Sequence, residues 1–202
     1  PYENPFLNKK FIVNGETITL GFLFNYYAQS WTEEEKDEIW RWEEFTHNKL
    51  GVRVKVHMGK FMNELVNIRD NFFMLHYYIG KVTYQEKSYI ENWINNSQYT
   101  DFLDSLGQRS ILSLTVLRNH FSDEKEIRIL YSYTPPDYGN DNDFVRNNVR
   151  VIGPLCKQPF NWRGIVEEVL VDMRMNDDEM SQIKTKLENA GVYCPVNRSL
   201  AS

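Results

Sequence analysis

Four basic side chains in one short segment of this sequence could bind an anion. Arg53, Lys55 and His57 alternate with valines, and Lys60 follows three residues later. In a β-strand this alternation places the three basic side chains on one face, about 7 Å apart. Such a row of cations fits phosphate, carboxylate, an acidic partner or the backbone of single-stranded nucleic acid. The alternative interpretation is an ordinary solvated face, since exposed strand faces are commonly charged.

Aromatic side chains in polar surroundings are a second set of candidates. Trp40, Tyr138 and Trp162 lie in charged or turn-rich stretches rather than in apolar runs. Exposed aromatic residues are enriched where proteins bind partners and where unpaired bases stack. We therefore predict that these three residues bind a partner. The alternative is that they pack against neighbouring elements of the same chain.

Carboxylates are the remaining groups that could take part in catalysis or metal binding. Three aspartates at positions 137, 141 and 143 crowd one polar stretch, but their spacing departs from that of a calcium-binding EF-hand loop. Asp172, with Glu167 and Glu168 nearby, could contribute to a metal-dependent nuclease site. Such a site also needs a lysine close by, and this chain has Arg174 there. We predict no metal site and no cofactor.

Standard catalytic signatures are missing from the chain. It has no glycine-rich phosphate loop, no G-x-S-x-G elbow, no H-E-x-x-H pair and no C-x-x-C pair. His47 follows Glu43 and Glu44 at helical spacing, which predicts an exposed ion pair at a helix end. Enzymatic activity is therefore not expected, although active sites also assemble from scattered residues.

Composition bounds the class of protein. The 202 residues favour one large domain over two small ones, and 42% hydrophobic content is ample for a core. A net charge of -5 argues against a dedicated duplex-binding protein. No apolar run is long enough to span a bilayer, and the first ten residues lack the apolar core of a signal peptide. Cys156 and Cys194 would be ordinary thiols in a reducing compartment and could pair in an oxidising one. An intracellular location, cytoplasmic or nuclear, is the expectation.

The elements that would position these residues begin with an acidic helix. Ser30 and Thr32 each precede a glutamate by three positions, the spacing of a capping box, and predict a helix that continues to Leu50. Gly51 is placed to end that helix in the left-handed conformation. A strand over residues 52–58 follows directly, with valines on one face and the basic residues on the other.

Local patterns predict the remaining elements as follows. The first part of the chain should form a hairpin over 10–24 around Asn14-Gly15, a helix over 61–70, a strand over 71–82, a helix that starts at 83, and a short helix over 100–106. The alternative for 71–82 is a continuation of the preceding helix. The second part should form a hairpin of strands 110–121 and 126–133, a loop over 134–147, strands over 148–152 and 165–175, and a helix over 177–190 capped by Asn176. A helix is the alternative for 165–175.

These observations predict an α+β fold, mainly an antiparallel sheet of hairpins with helices on one face, in a single domain over residues 1–202. The favoured function is a non-catalytic protein-interaction or assembly module, including self-association as a homodimer. The alternative is recognition of single-stranded nucleic acid or another anionic ligand through Arg53, Lys55, His57 and Lys60. A third hypothesis is an unrecognised metal-dependent hydrolase or nuclease. No membrane association is expected.

Overall fold

The computed structural model describes Phe6 and residues 8–65, 76–104, 107–133 and 143–201. The fold is α+β, as predicted. The helices of the described residues are α1 (Ile39–Thr46), α2 (Met58–Leu65), α3 (Lys87–Asn96), α4 (Gln108–Leu114), α5 (Asp143–Asn148) and α6 (Asp177–Asn189), with short 3-10 helices at Gly21–Asn25, Tyr99–Phe102 and Asn119–Glu124. The strands are β1 (Lys10–Val13), β2 (Glu16–Thr19), β3 (Tyr26–Thr32), β4 (Val52–Val56), β5 (Tyr77–Lys81), β6 (Thr83–Gln85), β7 (Val116–Arg118), β8 (Glu126–Ser132), β9 (Arg150–Ile152), β10 (Leu155–Lys157), β11 (Val166–Val171) and β12 (Val196–Arg198).

The chain forms two compact units, and each is discontinuous in sequence. The first unit consists of Pro1–Glu34 and Ile68–Gln158, and the second unit consists of Glu35–Asn67 and Pro159–Ser202. Compact units do not by themselves show whether either part folds alone. The single domain over residues 1–202 therefore stays a prediction.

The first unit is organised around strand β8. This strand lies between β3 and β5 and pairs antiparallel with both. Two hairpins, β1-β2 and β9-β10, and the parallel pair β6-β7 complete its strand structure in the described residues. Apolar side chains from the first hairpin, from α3 and α4 and from β8 form the larger core cluster, namely Phe6, Phe11, Leu20, Leu23, Ile90, Ile94, Phe102, Leu114 and Leu130.

The second unit contains a three-stranded sheet in the order β12-β11-β4. The central strand β11 runs antiparallel to β4 and parallel to β12. Its core cluster consists of Val166, Val169 and Val192, with Leu187 of α6 and Trp162 packed against it. Val169 and Val171 therefore serve the core, as predicted, but the strand predicted over 165–175 is observed only over Val166–Val171.

Two local predictions are confirmed in detail. Asn14 and Gly15 have φ angles of 52° and 83°, as a two-residue turn with left-handed central residues requires. Helix α6 begins with a capping box, in which Asn176 Oδ1 accepts from the Glu179 amide and a Glu179 carboxylate oxygen accepts from the Asn176 amide, both at 2.9 Å. The strand after the turn was predicted to reach residue 24, but β2 ends at Thr19 and a 3-10 helix follows.

The predicted start of the acidic helix at Ser30 or Thr32 is wrong. Both residues belong to β3, where the Ser30 hydroxyl donates to Glu126 and the Thr32 hydroxyl donates to the Glu124 carbonyl at 2.7 Å. Pairing with β8 uses the backbone groups that a helix would need, so tertiary contacts override the capping signal. The helix starts only at Ile39, and His47 with φ of 51° ends it in place of Gly51.

A second apparent capping box, at Thr83 and Glu86, is also misleading. Residues 83–85 form β6, and helix α3 starts at Lys87. The Thr83 amide donates to the Thr115 carbonyl at 2.8 Å, while the Glu86 carboxylate accepts from the Asn119 side chain at 2.6 Å. Neither group is left for a reciprocal cap.

The predicted hairpin of strands 110–121 and 126–133 is wrong in its first half. Residues 108–114 form α4, where the Ser113 hydroxyl donates to the Ser110 carbonyl at 2.6 Å. The Thr115 hydroxyl similarly donates to the Ile111 carbonyl at 3.1 Å. Small polar residues that bond back to a helix backbone therefore produced a false strand alternation. Strand β8 is confirmed, but its partners are β3 and β5.

Other predictions are confirmed or corrected over part of their length. The helix after β4 runs over Met58–Leu65, and the predicted strand over 71–82 is seen as Tyr77–Lys81, with residues 66–75 outside the described part. The helix predicted over 100–106 is the 3-10 helix Tyr99–Phe102. In the predicted loop over 134–147, residues 134–142 lie outside the described part, and helix α5 starts at Asp143.

One buried ion pair anchors β8 to the elements around it. Arg128 is 2% exposed and Glu126 is 5% exposed, and their side chains form two hydrogen bonds, of 2.6 and 2.8 Å. Arg128 also donates to the Leu114 carbonyl at the end of α4, and Glu126 also accepts from Ser30 of β3. Burial lowers the pKa of Arg128 to about 10, which still leaves it cationic at neutral pH.

We predict that Arg128→Met costs the protein about 3–5 kcal/mol of unfolding free energy, because it leaves the Glu126 carboxylate buried without its partner. Urea unfolding followed by circular dichroism measures this. The matched control is Arg109→Met, which removes the exposed pair between Arg109 and Asp101 and should cost at most about 1 kcal/mol. Equal losses in the two variants would contradict the prediction.

Candidate functional site

Arg53 and Lys55 of the basic row lie on β4, an outer strand of the second unit's sheet. The strand predicted over 52–58 ends at Val56, so His57 lies beyond it and Met58 begins α2. Strand β4 pairs with β11 so that Val52 stands opposite Val171 and Val54 stands opposite Val169. Both β11 valines are completely buried. The valines of β4 therefore lie on the same face as these two residues, although Val52 and Val54 are themselves exposed, and Arg53 and Lys55 point to the other face.

Acidic residues that precede α1 lie against this basic face. Arg53 Nη1 is 3.9 Å from Asp37 Oδ1 and donates to the Lys36 carbonyl at 3.2 Å. Lys55 Nζ is 3.3 Å from Glu35 Oε1. The two charge runs of the sequence thus meet on one surface, and the face has mixed charge rather than a basic excess.

His57 and Lys60 are near each other at the end of the same row. His57 Nδ1 accepts from the Lys60 amide at 3.3 Å, and Lys60 Nζ donates to the Gly164 carbonyl at 3.2 Å. Both side chains are exposed. These bonds stabilise the turn between β4 and α2, and they leave no concave pocket of cations around an anion.

Asp37 holds the start of α1 to the end of the chain. Its Oδ1 accepts from Trp42 Nε1 at 2.8 Å, and its Oδ2 accepts from the Ser199 hydroxyl at 2.7 Å and from the Leu200 amide at 3.1 Å. Burial alone would raise the pKa of Asp37, but these hydrogen bonds and Arg53 outweigh it and lower the pKa. The carboxylate is therefore ionised at neutral pH, and both of its oxygens accept hydrogen bonds.

Asp172, the candidate nuclease carboxylate, is occupied by Arg174. Two hydrogen bonds, of 2.9 and 2.6 Å, join its carboxylate to the guanidinium, and the Arg174 amide adds a third at 2.9 Å. Arg174 also donates to the carbonyls of Asn48 and Lys49, directly after α1. This clamp fastens the turn between α1 and β4 to the end of β11, which is a structural role.

Helix α1 presents its apolar side chains to solvent. None of its residues is buried, and Ile39, Trp40 and Phe45 are all exposed, Phe45 by 55%. Trp40 is 40% exposed, donates from Nε1 to Glu38 at 3.0 Å and stacks under the Arg41 guanidinium at 4.5 Å. The prediction that Trp40 lies off the packed stripe of its helix is consistent with this position.

The opposite side of α1 touches the start of β4. A Cβ atom built on Gly51 would overlap the Thr46 methyl group and would contact the Trp42 ring. Gly51 is thus required here for close approach of the helix. Leu50, Val52 and Val54, which flank this contact, are exposed as well.

The other two aromatic candidates have different outcomes. Trp162 packs within the second unit, with ring centroids 4.5 Å from Phe160 and 5.7 Å from Phe61. This packing favours a structural role for Trp162 over partner binding, because neighbouring rings already cover much of its surface. Tyr138 lies outside the described residues.

Titratable groups elsewhere do not converge on a reactive centre. Within the described residues, no three His, Cys, Asp or Glu side chains are placed to hold a metal ion. Cys156 and Cys194 are free thiols, and burial raises the pKa of Cys156 to about 11. Asp143 pairs with Arg146 at 3.5 Å, while Asp137 and Asp141 lie outside the described residues.

A cleft that the sequence did not suggest lies in the first unit. It has a volume of about 280 Å³ and is lined by Trp93, Asn96, Ser97, Asp101, Phe102, Arg109 and Leu112. The salt bridge of 3.0 Å between Arg109 and Asp101 occupies its charged groups.

Sequence reasoning missed several exposed residues of the second unit. It placed Ile39 and Leu50 within one long helix and the valines of β4 on one face of a strand, without predicting their exposure. Their exposure follows from the short length of α1 and from the outer position of β4, and neither is visible in the local pattern. The alternation of valines with basic residues on β4 was the signal that the sequence offered for this surface.

We predict that Asp172→Asn lowers stability at neutral pH and that the difference from wild type disappears in acid. The hydrogen bonds from Arg174 lower the pKa of Asp172, so the stabilisation is present above the carboxyl's ordinary pKa and is lost as the pH falls through its folded-state value. Melting temperatures measured from pH 7 down to about pH 2 test this. Asp177→Asn, which affects only an exposed pair with Arg198, should show little difference at any pH.

We predict that Gly51→Ala destabilises the protein by about 1–3 kcal/mol, because the added methyl group overlaps Thr46. The control is Gly21→Ala, where nothing lies within 4 Å of the added atom. Urea unfolding of both variants provides the comparison. A Gly51→Ala protein as stable as Gly21→Ala would show that α1 does not pack on β4 as described.

Comparisons with known proteins do not indicate a function for the chain, so a functional proposal has to start from the contacts described above. No protein-family model, no curated protein and no solved structure matches the chain. Among the described residues, no helix combines the length and apolar character needed to cross a bilayer.

Proposed function

We propose that the chain is a non-catalytic protein-interaction module and that its partner binds the exposed apolar side chains of the second unit. The exposed apolar side chains are Ile39, Trp40 and Phe45 of α1, Leu50 in the turn that follows, and Val52 and Val54 on the face of β4 opposite Arg53 and Lys55. Exposed apolar groups bordered by charged residues mark interaction sites on soluble domains. Glu38, Arg41 and Lys55 provide that border here.

The single observation that carries the proposal is the exposure of α1. A short helix gains most of its stability from burying an apolar face, yet no residue of α1 is buried. Helix α6 also has no fully buried residue, but its apolar side chains Met180, Ile183 and Leu187 are half-buried against the unit. Helix α1 has Trp42 half-buried in the same way, but it keeps Ile39, Trp40 and Phe45 in solvent, which costs free energy unless a partner covers them.

Trp40 and Arg41 make the surface suitable for specific binding. Tryptophan and arginine are the residue types most enriched among those that dominate binding energy. The Arg41 guanidinium lies 4.5 Å from the Trp40 ring and 3.3 Å from Glu38, so the pair is pre-organised before a partner arrives. Pre-organisation reduces the entropy lost on association.

The anion-binding alternative has less support from the same contacts. Arg53 and Lys55 each have a carboxylate within 4 Å, and the two acidic residues belong to the same surface. A strand of nucleic acid would have to displace those pairs or bind beside Glu35 and Asp37. The free thiols Cys156 and Cys194 support the proposed intracellular location.

The test uses a photo-crosslinking benzoylphenylalanine placed at position 45, with position 12 as control. Ile12 is 73% exposed but belongs to the first unit. In extract of the source cells, position 45 should form one saturable protein adduct, and position 12 should not. Adding Trp40→Ala should weaken the interaction about 30-fold, which corresponds to the loss of one dominant contact of about 2 kcal/mol.

Three results would overturn the proposed function. Equal labelling from positions 45 and 12 would show that the surface is not selective. An adduct unaffected by Trp40→Ala would show that the exposed aromatic residue does not contribute. An adduct that contains nucleic acid and weakens steeply with salt would assign the surface to the alternative function.

A further inference from the structure

Strand β4 has one edge that is not used by its own sheet. The Gly51 carbonyl accepts from the Asp172 amide at 3.1 Å, and the His57 amide donates to the Ile165 carbonyl at 3.0 Å. In an antiparallel pair, alternate residues point their backbone groups at the same neighbour. The odd-numbered residues of β4 therefore face β11, and the amides and carbonyls of Val52, Val54 and Val56 face away from it.

No other element covers these outward groups in the described part of the chain. Strand β4 ends the order β12-β11-β4, and no backbone or side-chain partner is found for the outward groups of Val52, Val54 and Val56 among the described residues. Val52 is 47% exposed and Val54 is 36% exposed. An accessible edge with apolar side chains is a template for a further strand, and folded proteins usually block such edges.

We propose that this edge binds an extended segment of another protein, in which carboxylate residues alternate with apolar residues. The inference rests on the proposed function, and it specifies how the partner binds the second unit. The incoming backbone would pair with Val52, Val54 and Val56. Its apolar side chains would cover the exposed β4 valines, and its carboxylates would lie opposite Arg53 and Lys55.

A second copy of this chain fits the edge poorly. Two copies related by a two-fold axis would pair antiparallel through the same outward residues, so even positions would meet even positions and odd positions would meet odd ones. Arg53, Lys55 and His57 of one copy would then lie opposite the same basic residues of the other copy. Like charges directly opposite across a strand pair are destabilising.

An incoming carboxylate would have to displace Glu35 from Lys55, and Arg53 would keep its hydrogen bond to the Lys36 carbonyl. Glu35 pairs with Lys55 at 3.3 Å, but the Glu35 side chain is 79% exposed. An exposed pair of this kind contributes little, about 0–1 kcal/mol, so replacing it costs little. Asp37, at 3.9 Å from Arg53, is committed to Ser199 and Trp42 and holds Arg53 only at long range.

Peptide binding to the full chain tests the inference. The probe is a fluorescein-labelled peptide of about nine residues that alternates valine and glutamate, long enough to span β4. The control peptide carries lysine in place of glutamate. Fluorescence anisotropy should show saturable binding of the first peptide only, and amide hydrogen exchange should slow at Val52, Val54 and Val56 when that peptide is added.

Three variants separate strand pairing from side-chain contact. Val54→Pro removes an outward amide without removing a bond to β11, and proline is tolerated on edge strands. It should weaken peptide binding about tenfold, whereas Val54→Thr keeps the amide and should change the affinity less than about threefold. Lys55→Glu should weaken binding of the valine-glutamate peptide about tenfold and strengthen binding of the lysine peptide. This variant tests the inference even if the proline variant folds poorly.

The outcomes distinguish this inference from the proposed function. If neither peptide binds while the crosslink at position 45 still depends on Trp40, strand addition is wrong and the interaction surface stands. If that crosslink fails as well, both are wrong. A dimer of the free chain, seen by light scattering and abolished by Val54→Pro, would assign the edge to a second copy and overturn the choice of partner.

Discussion

Charged groups taken out of water must be paired, and this constraint organises both units of the molecule. In the first unit, Arg128 and Glu126 join the middle strand to β3 and to the end of α4. In the second unit, Asp172 and Arg174 fasten β11 to the turn after α1. Breaking such a pair leaves an uncompensated charge, so each pair determines which elements meet there.

The same pairing gives a structural role to the carboxylates that the sequence singles out. Asp172 has three hydrogen bonds to Arg174, and Asp37 has three to Trp42, Ser199 and Leu200. Once these groups are engaged in structure, the distinctive features left on the second unit are apolar. They are the exposed side chains of α1 and the outer edge of β4. Both features suit association with another protein.

Several elements were predictable because their determinants are local. Asn14-Gly15 specifies a turn through its own backbone preference, and Asn176 with Glu179 forms a cap within one helical turn. The same capping pattern failed at Ser30, Thr32 and Thr83. There the chain pairs with β8 or β7, which are distant in sequence, and strand pairing satisfies the backbone groups that a cap would satisfy.

By itself the sequence determined the α+β class, the hairpin turn, the alternation of β4 and the last helix, since each depends on side chains within a few residues. It also brought Arg53, Lys55, His57 and Lys60 together on one short segment. Only the tertiary structure decided that Glu35 and Asp37 lie against Arg53 and Lys55, that α1 leaves Trp40 and Phe45 exposed, and that β4 is an outer strand. The outer position of β4 depends on its pairing with β11, and the position of Asp37 depends on its bonds to Ser199 and Leu200. Both contacts join residues more than a hundred positions apart, and no local pattern encodes them.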